Sequence, residues 1–227
     1  MVACGRSDTP SANASVDDLL TLAQRRLGED DIRGAIGAYR MALARDSTNA
    51  RALNELGRIF ALQSRDEAAQ RYLRRAFQSY YEQGVKAWEE SRDTTAARAA
   101  FRLAARALPN HPLAALRVGE IAEAAGDFEG AIGHYELAVS VNPRFAQSYI
   151  KLGSACLAAN RLDQARSAFS KAVELNINAL DAYLGLGRLA SLDENWAAAE
   201  VEFQKALLID PDSPVATEGL KKARARL

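Results

Sequence analysis

One interval recurs along most of this chain and limits what it can fold into more than any other feature. Gly119, Gly153 and Gly187 lie 34 residues apart, as do Ala131, Ala165 and Ala199. Tyr135, Phe169 and Phe203 keep the same interval, and so do Ala138, Ala172 and Ala206. Four independent columns at one spacing do not arise by chance. Toward the start they continue as Ala35/Ala69, Tyr39/Leu73 and Ala42/Ala76. Ala97, Phe101 and Ala104 stand 34 residues before Ala131, Tyr135 and Ala138. A fixed period of this length marks stacked supersecondary units, each unable to bury its apolar face alone.

The columns have a physical reading. A glycine on the first helix (A) of a unit lets the second helix (B) approach closely, because no Cβ intervenes. Alanines on helix B serve the same approach, and the aromatic column fills the space between neighbouring units. The expected fold is all-α: a right-handed α-solenoid of six helix–turn–helix repeats. The repeats are 16–49, 50–77, 78–111, 112–145, 146–179 and 180–213. The turns carry helix-starting residues at Asp30/Asp31, Arg65/Asp66, Asp127, Asp163 and Glu194/Asn195, suited to capping helix B and meeting its positive dipole end. Ser213–Pro214 opens a last helix over 214–227, with Pro at the first helical position and Lys and Arg at its end. This reads as a capping helix over the final repeat.

One place breaks the period: Ala69 to Ala97 is 28 residues. The run from Ser64 to Asp93 has no Pro, and no Gly before Gly84. It predicts one long helix fusing helix B of repeat two with helix A of repeat three. The alternative is a tight turn near Gln78–Ser79. The array should change direction there.

Composition narrows the function. Lys+Arg and Asp+Glu both number 29, which gives no support for nucleic-acid binding. No apolar stretch is long enough for a transmembrane helix. Cys4 and Cys156 are too few and too far apart for a disulfide framework or a zinc site. His111 and His134 lack partners at metal-ligand spacing. No phosphate loop, nucleophile elbow or metalloprotease motif occurs. Cys156, beside Gly153, reads as a small buried hydrophobe. These observations point away from an enzyme, a cofactor or a small-molecule substrate, and toward protein binding.

The columns, with Pro109, Pro143 and Pro211 near the ends of units, resemble the tetratricopeptide repeat (TPR) over residues 16–213. Ser47 and Ile177 depart from the proline column. The resemblance implies a concave groove lined by the second, fifth, ninth, twelfth and thirteenth positions of each repeat. Carried onto this sequence, these include Leu20, Gln24 and Leu27, then Arg51, Asn54 and Arg58, then Tyr81, Val85 and Trp88. Leu113, Leu116, Glu120 and Glu123 follow, then Gln147, Ile150, Ser154 and Leu157, and finally Asp181, Leu184, Arg188 and Ser191. The family's chaperone-tail clamp needs a Lys and Asn set. Asn54 is present, but Arg58 stands at the partner asparagine position and the lysines are missing. The remaining groove suits an extended or helical segment of a partner protein, anchored by aromatics and leucines.

The first residues, MVACG, resemble the end of a bacterial lipoprotein signal, in which the cysteine, here Cys4, carries the lipid. Residues 1–15, rich in Ser, Asp, Pro and Asn, then read as a flexible tether. Only Met1, Val2 and Ala3 precede Cys4, so neither the charged nor the apolar region of a signal is present. In size, repeat number and anchor the chain is similar to TPR lipoproteins of the bacterial outer membrane, facing the periplasm, that help the type IV pilus secretin assemble (pilotins). That resemblance implies secretin subunits as partners and a membrane reached through lipid. A soluble cytosolic adaptor and an envelope scaffold for cell-wall enzymes are the alternatives.

Overall fold

The computed structural model describes residues 13–227. The described residues form twelve α-helices and no strand. The chain divides into two compact units, Met1–Pro109 and Asn110–Leu227.

The first unit holds α1 (Val16–Gly28), α2 (Ile32–Arg45), α3 (Ala50–Leu62), α4 (Asp66–Glu89) and α5 (Thr94–Ala107). Each helix packs on the next. Ser15 and Asp18 open α1 with a capping box, so two otherwise unpaired backbone N–H groups are satisfied reciprocally. The 28-residue interval is a continuous helix: α4 runs 24 residues without a turn and serves as helix B for α3 and helix A for α5. Phe77, Ser79 and Tyr80 are buried at its middle, and Ser79 Oγ donates to the Thr48 carbonyl at 2.6 Å.

The second unit holds α6 (Leu113–Ala124), α7 (Phe128–Val141), α8 (Ala146–Ala158), α9 (Leu162–Leu175), α10 (Leu180–Leu192), α11 (Trp196–Ile209) and α12 (Pro214–Arg224). Here the helices alternate A and B in regular pairs, and α12 packs on α11 and α10 as the terminal cap. The repeat columns meet physically. A Cβ on Gly153 would fall 2.7 Å from the Phe169 ring, and one on Gly185 would meet the same ring from the next repeat. Gly187 and Gly219 enclose Phe203 in the same way. Phe169 and Phe203 are thus each gripped between glycines of two successive A helices, whereas Tyr135 meets a glycine on one side only, Gly119.

The turns also repeat. Asp30, Ser64, Arg92, Gly126, Asn160 and Glu194 all have left-handed φ, between 55° and 76°. They follow the interval of the columns, including the short step from 64 to 92. The residue after this turn caps helix B where it is Asp31, Asp93, Asp127 or Asn195. Two sequence expectations need correction: Arg65 and Arg161 occupy the cap positions of α4 and α9 and make no side-chain cap. Asp66 and Asp163 lie inside the first turn, where they face the dipole but do not cap.

At four of the joints the chain makes an Asx turn, while Leu108 holds the matching place after α5. The side chains of Asp46, Asn142, Asn176 and Asp210 each accept from the backbone N–H two residues on, at 3.0 to 3.2 Å. The turn is the same whether Pro143, Pro211 or Ile177 follows the Asx, so the missing proline at Ile177 leaves the joint intact.

Candidate functional site

The A helices carry the positions that the sequence reading assigned to a groove. In the first unit Asn54 on α3 is half-buried and donates to Glu55 Oε1 at 3.2 Å, and the exposed Arg58 reaches the same carboxylate at 3.4 Å. On α4, Tyr81, Val85 and Trp88 are half-buried. Tyr81 stacks on Phe77 at 5.7 Å and tilts against Phe101 at 5.5 Å. Its ring therefore holds α4 to α5, and Trp88 is the less committed aromatic.

In the second unit the fifth position turns inward. Leu116 and Ile150 are 4% and 8% exposed and belong to the core cluster around Tyr135 and Phe169. Leu184 is half-buried against Phe203 and Ala216. Leu116 and Ile150 are not surface for a partner, because consecutive A helices pack along this stripe. The ninth and twelfth positions stay accessible. Glu120 is half-buried and accepts from Arg117 at 2.8 Å and Lys151 at 2.9 Å. Burial pushes its carboxyl up, but the two cations outweigh that and hold it below the usual carboxylate range. Glu123 accepts from the buried Tyr135 hydroxyl at 2.7 Å.

A cleft of about 940 Å³ opens where α8, α10, α11 and α12 meet. Three residues named from sequence, Leu157, Arg188 and Ser191, line it. Leu192 and Trp196 add an apolar floor, and α12 contributes Val215, Glu218, Lys222, Ala225 and Arg226. These α12 residues lie 34 positions after Asp181, Leu184, Arg188, Ser191 and Leu192. The capping helix is therefore helix A of a further register, and its inner face continues the groove. Reading α12 only as a cap missed this face, although the same interval carried one step further finds it. Where α10 has Gly187, α12 has the exposed Lys221, which solvates the face that would otherwise meet another helix B.

Cys156 is buried in the core, and burial pushes its thiol up, against nucleophilic use. Among the described residues no three His, Cys, Asp or Glu side chains are grouped to hold a metal ion. No described helix is long and apolar enough to cross a membrane. Cys4 lies outside the described residues.

The profile of the tetratricopeptide repeat matches residues 20–80, 81–149, 122–179 and 150–214. No curated protein sequence matches the chain. Among solved structures it is similar to PilW, a widely conserved type IV pilus biogenesis factor. The TM-score is 0.56 at 20% identity, covering 90% of this chain and 98% of that one. It is also similar to YrrB, a TPR protein with an unusual peptide-binding site, with TM-score 0.51, 19% identity and coverage of 91% and 92%. A chain of the APC/C hetero-tetramer Cut9–Hcn1 gives TM-score 0.57 at 18% identity, and this chain spans 42% of its length while 92% of this chain is covered. These likenesses establish a fold. With its profile matched from residue 20 to residue 214, the chain belongs to the tetratricopeptide repeat family.

Proposed function

We propose that the chain is a non-enzymatic scaffold that holds a segment of a partner protein along the face made by its A helices. The observation that carries this reading is the cleft at α8, α10 and α12. It leaves Leu192 60% and Val215 38% exposed beside a half-buried Trp196, in a concavity large enough for several side chains. Exposed apolar side chains gathered in a concavity are the usual anchor sites for a partner. In the first unit Asn54, Arg58, Val85 and Trp88 are the positions to engage a partner segment, with Tyr81 as their packed support.

We further propose that Cys4 ties this scaffold by lipid to the periplasmic face of a bacterial outer membrane, where it helps assemble a membrane complex such as the type IV pilus secretin. Two features support this. Small residues precede Cys4 and a polar stretch follows it. The similarity to PilW runs over nearly the whole of both chains. More than one acyl chain would be needed for stable anchoring, since each buried CH₂ contributes about 0.8 kcal/mol.

The test compares wild type with Cys4→Ala, expressed from the native gene with its upstream codons. Intact mass and membrane fractionation are the readouts. A lipid mass at Cys4, outer-membrane sedimentation, and loss of both in Cys4→Ala are expected. An unmodified wild type that stays in the cytosol would sink the anchor and the pilus reading together, leaving the adaptor reading.

A further inference from the structure

We propose that the cleft at the α12 end of the A-helix face selects an acidic partner segment, whose carboxylates meet Arg188 and Lys222 while its apolar side chains enter over Leu157, Leu192 and Trp196. This rests on the scaffold reading and names the chemistry of the segment.

The charge distribution carries the inference. The chain as a whole is balanced, 29 cations to 29 carboxylates. The charged lining of the cleft is not: Arg188, Lys222 and Arg226 stand against Glu218 alone. Lys222 lies 3.4 Å from Glu218, and the Arg226 guanidinium sits over the Trp196 ring at 5.7 Å. Arg188 is exposed at the cleft wall and makes no hydrogen bond or ion pair among the described residues.

Nearby arginines outside the cleft are paired, as Lys222 is inside it, whereas Arg188 is not. Arg166 pairs with Asp193, and Arg224 pairs with Glu200 at 2.8 Å. The second unit thus pairs these arginines and leaves an excess of positive charge in the cleft. A guanidinium held beside an apolar floor is suited to a carboxylate that arrives with an apolar neighbour, because the floor excludes water from the pair. A bilayer surface is a poorer fit: Leu157 and Trp196 are half-buried between helices, and Arg224 is already engaged.

The experiment uses the full chain and three labelled synthetic peptides, read by fluorescence anisotropy. The first is Glu-Asp-Leu-Phe-Asp-Glu-Leu. The second replaces its acids by the matching amides, and the third replaces Leu and Phe by Ser. The first should bind saturably and weaken with added salt. Arg188→Glu and Lys222→Glu, both at exposed positions whose fold is checked by circular dichroism, should each weaken it about tenfold. The amide and serine peptides should bind at least that much more weakly.

Equal binding of the acidic and amide peptides, or charge reversals without effect, would overturn the acidic preference. Sedimentation with phosphatidylglycerol vesicles that is lost in Arg188→Glu would assign the cations to a membrane and overturn it as well. If the amide peptide binds and Trp196→Ala abolishes that binding, the acidic preference falls while the scaffold reading stands. If none of the three peptides binds up to millimolar concentration, both fall.

Discussion

Two joints between repeats do the same job with opposite chemistry. At Asn176–Ala179 the chain leaves α9, makes an Asx turn in which the Ala179 N–H donates to the Asn176 carbonyl at 3.1 Å, and enters α10. In the middle of α4 no turn exists, and the helix continues through residues 77–81. Counting 34 residues on from Asp46, the first Asx of the series, lands on Tyr80, which is buried at 8% exposure. An Asx at that place stops a helix by offering the backbone a competing hydrogen bond. Tyr80 offers none and instead buries its ring. The difference teaches that the helix pair is the conserved physical unit, and the joint is set by one residue and its neighbours. The pairing columns survive the joint's removal because Gly84 still receives Phe101: a Cβ at Gly84 would lie 2.6 Å from that ring.

The sharpest way to break this comparison is one substitution at matching positions. Tyr81 and Ile177 both follow the Asx place in register. Tyr81→Pro should cost ~3 kcal/mol or more in urea unfolding, because it removes a helix hydrogen bond and forces a clash in the interior of α4. Loss of the ring between Phe77 and Phe101 adds to that. Ile177→Pro occupies the second position of a turn in which Pro143 and Pro211 already stand, and should be neutral or stabilising by up to ~1 kcal/mol. Similar losses at both sites would mean the two joints are not alternatives within one register.

A second comparison sets Tyr39 against Tyr135, which share the aromatic column. The Tyr135 hydroxyl has Glu123, while the Tyr39 hydroxyl is buried with no hydrogen-bond partner among the described residues. Tyr135→Phe should cost about 1–2 kcal/mol, and Tyr39→Phe should be neutral or stabilising. Burial, aided by the Glu55 carboxylate, pushes the Tyr39 phenol up to about 12, against an ordinary tyrosine near ~10. The neutral form is the one the fold accepts. Its contribution is fully present below the unfolded value and is lost as pH rises toward the folded one. Unfolding followed between those pH values should therefore show a shallower loss of stability in Tyr39→Phe than in wild type. An unchanged slope would place the alkaline loss on other groups.

The smallest expected effect concerns the left-handed turn residues. Gly126 holds its turn without strain, whereas Arg92 adopts φ 55° with a full side chain. Arg92→Gly should gain less than about 1 kcal/mol, since relief of the left-handed cost is partly offset by glycine's greater freedom when unfolded. A melting temperature lower than wild type would contradict this.

Much of the fold was legible because spacing encodes contact. Gly153, Phe169 and their counterparts announce a close approach, and the shortened interval before Ala97 announces the continuous α4. The groove was legible only in part. Leu116 and Ile150 have the right position and residue type for a partner site, yet neighbouring A helices use the same stripe to pack on each other. Pattern alone cannot separate these two uses of a leucine. The Asx joints are legible in the same register, since Asn142, Asn176 and Asp210 keep the interval even where proline does not follow. The inner face of α12 was within reach of the same register and was hidden by reading that helix only as a cap.

The most direct measurement places a photo-crosslinking amino acid at Leu192 or at Leu208 in cells that make the full chain. Both leucines are exposed, at 60% and 84%, but only Leu192 lines the cleft. A discrete crosslinked partner from position 192, and none from position 208, is the result this account predicts. Equal capture from both positions, or capture from 208 alone, would contradict the assignment of the A-helix face as the site where this scaffold holds its partner.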